Sequence, residues 1–234
     1  MGVHDGHRER LRKRFLEEDL DNFDDKHVLE LLLFYCIPRK DTGVIAYNLI
    51  KRFKSLSGVL DATRKELQSV EGVGENVACF LSLIASTGRF YRVNKVKKVT
   101  ILPSVEACGE YLKPFFDSRS NETVFLLCLD AKCKVLGCRE IGEGSINAAN
   151  ISTRRIVEIA LSYGASSVVL AHNHPSGIAL PSPEDILTTK QIAIGLAAVD
   201  IALTDHIIVA DNDYVSLYRS NLYNFREIQE AMLV

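Results

Sequence analysis

The chain has 234 residues, 47% hydrophobic and 25% charged, with 28 Lys+Arg against 30 Asp+Glu for a formal net charge of −2. This composition excludes an intrinsically disordered chain, and 14 Gly with 6 Pro exclude a collagen-like repeat. A near-neutral total also argues against a protein that coats nucleic acid by bulk attraction, although it leaves room for a local basic patch.

The first ninety residues read as helical. The charged segment His7–Glu18 predicts a helix, and Asp24-Asp25 can cap a second around Leu29–Tyr35, which Pro38 stops. Thr42–Phe53 carries Val44, Ile45, Leu49 and Ile50 on one helical face. Short helices over 56–60 and 65–70 precede the glycines at 72 and 74, and Ala78–Ser86 continues as an apolar helix. Residues 88–100 (GRFYRVNKVKKVT) are basic and read as a linker, partly extended.

Beyond 101, strand and helix signals alternate. Thr123–Leu129 and Lys134–Arg139 predict strands, and Ile151–Tyr163 a helix ending at Gly164. Ser167–Ala171 predicts a buried strand and Pro183–Ala198 a helix. Ile201–Leu203, His206–Ala210 and Tyr214–Leu217 predict further strands. The expected domains are a helical one over 1–90, the basic linker narrowed to 91–100, an α/β domain with a mixed sheet over 101–225, and a tail over 226–234.

The longest apolar run is Leu31–Ile37, too short to span a membrane. The polar start and six Cys without a CxxC pair lead us to expect a cytoplasmic protein with reduced thiols. Cys128, Cys133 and Cys138 recur every five residues, but not at a usual zinc-ligand spacing.

The sharpest feature is His172-Asn173-His174-Pro175-Ser176-Gly177 followed by Ser182-Pro183-Glu184-Asp185. Residues two apart on a strand face the same side, so His172 and His174 can present two imidazoles to one point. Asp185, one turn into the next helix, can add an oxygen ligand. Two His and one carboxylate leave a position open for water, as in catalytic zinc sites. Each part also has a plainer reading. A His pair can belong to a hydrogen-bonded loop, and Ser-Pro-Glu-Asp is a good helix start whose capping alone explains Ser182 and Asp185.

The string His172-x-His174-Pro175-x-Gly177-x4-Ser182-x2-Asp185 resembles the JAMM motif of MPN-domain metalloproteases without a mismatch. HNHPSG, PSPEDILTT and DHIIV at 205–209 together resemble the bacterial RadC family. The resemblance implies an N-terminal all-helical, helix-hairpin-helix-like domain followed by a mixed-sheet α/β MPN domain (JAB/JAMM, cytidine-deaminase-like). It also implies one zinc ion per chain held by His172, His174 and Asp185. Glu122 matches the carboxylate that holds the water, and Ser182 the hydroxyl that supports the oxyanion. The plain reading of Glu122 is a solvated strand-end acid; Glu140, Glu143 and Glu158 do not open an apolar strand. For Asp205 and His206 the open readings are orientation of a ligand or simple completion of a strand.

The resulting expectation is a zinc-dependent hydrolase of a peptide or isopeptide bond, with an unknown peptide or protein substrate. The alternative is a DNA-repair-associated DNA-binding module with a vestigial or structural metal site. DNA contact would run through residues 7–14, 70–76 and 89–98, with the Gly72–Gly74 turn offering backbone N–H groups to a phosphate. Glu71 and Glu75 beside that turn oppose it. A zinc deaminase is excluded because the H-x-E…P-C-x-x-C pattern is missing.

Overall fold

The computed structural model describes residues 3–38, 40–98, 100–144, 152–211 and 213–224. The chain forms two compact units, Met1–Gly88 and Arg89–Val234.

The first unit is helical: α1 (Val3–Glu18), α2 (Asp25–Cys36), α3 (Gly43–Phe53), α4 (Leu56–Asp61), α5 (Arg64–Gln68) and the first part of α6 (Glu75–Val96). Its starts are written locally. Asp24 accepts from the His27 backbone N–H, Ser55 from Gly58, and Thr63 forms a reciprocal capping box with Glu66. Leu29, Leu33, Leu49, Leu67 and Leu81 fill its core at full burial. Gly72 joins α5 to α6 at φ +88°, and a Cβ there would lie 2.9 Å from Ile45 Cγ1, so the turn requires glycine both for its backbone and for its packing.

The expected linker does not survive as one. α6 runs on to Val96, because Val93 and Val96 continue an apolar stripe that packs on the second unit's core, and Arg92 pairs with Asp117. The tail expected over 226–234 lies outside the described residues, as does the expected start of a helix at Ile151.

In the second unit a five-stranded sheet has the order β2-β1-β3-β4-β5. These strands are β1 (Thr123–Leu129), β2 (Val135–Glu143), β3 (Ser167–Asn173), β4 (Ala202–Ala210) and β5 (Asp213–Ser216). Only β3 and β4 pair in parallel; β1 runs antiparallel to β2 and β3, and β5 to β4. Helices cover both faces, which explains why β1 is buried at every position rather than alternating. Val124, Leu126 and Cys128 face the cluster under α8 (Thr153–Ser162) and α9 (Pro183–Ala197). Phe125, Leu127 and Leu129 face α7 (Val105–Phe116). α7 has no counterpart among the elements read from the sequence. Ser104 caps it by accepting from Ala107, and Pro114 inside it hides the helical signal. The two strands expected at 201–203 and 206–210 are one, β4, interrupted by a bulge.

Candidate metal centre

β3 carries His172 and Asn173 to the edge of the sheet at its C-terminal end, and His174 follows directly. Val124 pairs with His172, so antiparallel pairing of β1 with β3 brings Glu122, just before β1, close to the histidines. Glu122, His172 and His174 each offer a ligand atom, all within 4.8 Å of one another. No cysteine belongs to this group, and all six cysteines are free thiols.

Asp185 joins from α9. Its Oδ1 lies 3.4 Å from His172 Nε2 and its Oδ2 3.6 Å from His174 Nε2. Ser182 is the N-cap of α9 and forms a reciprocal box with Asp185. The Ser182 hydroxyl donates to Asp185 Oδ2 at 2.7 Å and accepts from the Asp185 backbone N–H at 3.1 Å. The Ser182 backbone N–H donates to the same Oδ2 at 2.7 Å. The capping and metal-ligand readings of these residues are therefore compatible: the cap aims the carboxylate. In this geometry the Ser182 hydroxyl proton points at Asp185 Oδ2.

The two imidazoles meet through their Nε2 atoms at 2.8 Å. His174 Nδ1 faces the Ile178 carbonyl at 3.1 Å, an acceptor only, so Nδ1 carries a proton. His172 Nδ1 faces His206 Nε2 at 2.8 Å. Burial and the neighbouring His174 lower the His172 pKa to about 3, so its ring is neutral at physiological pH. Two imidazole nitrogens close to each other and to a buried carboxylate form a donor set of nitrogens and carboxylate oxygens that could hold a metal ion.

Three residues that the motif reading leaves aside hold this centre together. Asn173, between the histidines, accepts from Thr123 N–H at 2.8 Å and donates to the Asn121 carbonyl at 3.2 Å, fixing the chain on both sides of Glu122. His206 and Thr189 back His172 from behind. Their neighbour Asp205 has a separate task on the other side of β4. It accepts from the Ser216 hydroxyl and from the backbone of His206 and Tyr218, tying the end of β5 and the chain after it to β4. Burial raises its pKa against those hydrogen bonds.

The basic residues singled out for DNA contact are largely engaged within the protein. Arg8 donates to the carbonyls of Ile37, Pro38 and Lys40, Arg14 to Asn22, and Arg12 lies over Tyr35. Arg89 donates to the Asp117 carbonyl. Among the described residues, no helix is long and apolar enough to cross a membrane.

Residues 102–222 match the family described as the RadC-like JAB domain. A UPF0758 protein of Fusobacterium nucleatum is 33% identical over 93% of this chain and 97% of its own length. UPF0758 proteins of Paraburkholderia xenovorans (31%, over 89% of this chain and 83% of the relative) and Bordetella parapertussis (34%, over 88% and 92%) are also similar.

Proposed function

We propose that this chain, which belongs to the RadC family, is a zinc-dependent hydrolase of the JAMM type that cleaves a peptide or isopeptide bond. The observation that carries the reading is the convergence of Glu122, His172 and His174 within 4.8 Å, with Asp185 against both imidazoles. His172, His174 and Asp185 would hold the ion, leaving Glu122 for proton transfer. When bound, zinc would polarise a substrate carbonyl and make a water acidic enough to attack near neutral pH.

The remaining chemistry belongs to the chain. Glu122 takes a proton from the attacking water and returns it to the leaving amine, as a carboxylate placed beside the water can. Asn173 keeps Glu122 at the proper depth by holding residues 121 and 123. Ser182 holds Asp185 in the resting site, and rotation of its hydroxyl would supply a donor to the oxyanion forming on the substrate carbonyl. The DNA-binding alternative has less behind it, since Arg8, Arg14 and Arg89 bind carbonyls of the protein itself.

The test pairs metal content with cleavage. Wild-type protein and Glu122→Gln are loaded with zinc and incubated with a mixed peptide library and Lys-branched isopeptides, and new termini are read by mass spectrometry. The reading predicts equal zinc in both proteins and cleavage by wild type alone. Loss of zinc in the variant would make Glu122 a ligand instead of a base.

A further inference from the structure

His206 reaches the centre only because β4 carries a bulge. Val168 pairs with Leu203, but Val169 pairs with Asp205, so Thr204 is an extra residue in the strand. Before the bulge Leu203 faces the α8–α9 side, and after it Ile208 does, while Ile207 and Val209 face α7. With strict alternation His206 would share the face opposite Leu203. The extra residue turns it to the same face as His172, where it is fully buried.

The polarity of the contacts behind His172 runs in one direction. The Thr189 hydroxyl has a single proton and donates it to the Asp185 carbonyl at 2.5 Å, a group that can only accept. What Thr189 Oγ1 offers to His206 Nδ1 at 2.6 Å is therefore a lone pair, so Nδ1 carries the proton. His206 has no access to water, and its hydrogen-bond partners are a hydroxyl and an imidazole, so its ring is neutral and Nε2 accepts. His172 must then donate through Nδ1, which leaves its Nε2 lone pair facing His174 and Asp185.

We propose that Thr189 and His206 are positioning residues that lock His172 in the Nδ1–H tautomer and so hold its Nε2 lone pair ready for the metal ion. The relay starts on the turn of α9 that also supplies Asp185. One helical turn therefore places the carboxylate and, four residues later, sets the state of the imidazole facing it. The proposal rests on the zinc reading for its purpose, but the tautomer itself exists with or without zinc.

Two measurements decide it. Nitrogen spectra of the full-length, 15N-histidine-labelled protein, zinc-free and at neutral pH, should show His172 and His206 both protonated at Nδ1 only. A proton on His206 Nε2, or a charged ring at either residue, overturns the relay. Zinc affinity, read by competition with a chromogenic chelator, should fall about 10- to 100-fold in Thr189→Val and His206→Leu. Thr189→Ser and His206→Gln, which keep a hydroxyl or a donor–acceptor pair, should bind zinc nearly as wild type does. Wild-type affinity in both apolar variants overturns the proposal while leaving the zinc reading intact. A wild type that binds no zinc overturns that reading instead, and the spectra still decide the tautomer.

Discussion

Acid should destabilise the second unit steeply, and the cause can be traced to two histidines. In the unfolded chain each takes up a proton near pH 6.5, whereas burial and the adjacent His174 hold His172 neutral down to about 3. Burial and then the facing His172 also hold His206 well below the ordinary value. Asp185 pulls His206 the other way, and burial outweighs it. Between the two pKa values the unfolded state binds more protons than the folded one, so stability rises with pH and is lost as pH falls below about 6.5. Each histidine contributes a slope of about 1 kcal/mol per pH unit near pH 5.5, and the pair about 2. That is a sizeable part of a domain's total stability of about 5–15 kcal/mol. The assay is urea denaturation of the zinc-free protein followed by circular dichroism at several values between about pH 6.5 and 5. His206→Gln removes one titrating group, so its slope should be lower than wild type by about 1 kcal/mol per pH unit. Equal slopes in the two proteins would refute the reasoning, because they would mean that His206 takes up its proton in the fold as readily as outside it.

Other substitutions test the supports of the centre. Ser182→Ala removes the α9 cap and one tether on Asp185; it should cost about 1 kcal/mol and lower the melting temperature by about 2–4 °C in a calorimetric scan. Asn173→Ala leaves the Thr123 N–H buried without its partner and should destabilise the protein by about 1–3 kcal/mol in urea denaturation, with zinc still bound. Gly72→Ala forces a positive φ on a residue with a Cβ and pushes it against Ile45, so thermal denaturation should show a loss of more than about 1 kcal/mol. Arg8→Ala frees the carbonyls that it holds after α2; a stability loss with unchanged, salt-sensitive DNA retention would mark Arg8 as structural.

What the sequence revealed follows the range of the interactions involved. The His pair, the Ser-Pro-Glu-Asp start of α9 and the buried strand leading into them are local features, so spacing alone exposes them. Glu122 lies fifty residues upstream of His172, and only the resemblance singled it out; its approach to the histidines depends on how β1 pairs with β3. The support from Asn173 was hidden for the same reason, since its partners are Asn121 and Thr123. His206 and Thr189 were harder still, because the Asp205 charge within an apolar stretch resembles a strand break, whereas the chain answers it with a bulge. Charge also obscured α6. The basic residues of 88–98 drew attention from Val93 and Val96, whose spacing continues the helix into the second core.

The proposed activity depends on a metal ion held by His172, His174 and Asp185. Elemental analysis of protein purified without chelators tests it directly, using wild type and His172→Ala side by side. The wild type should carry one zinc ion per chain and the variant almost none. A wild type without zinc, or a variant that retains it in full, would rule out this metal site.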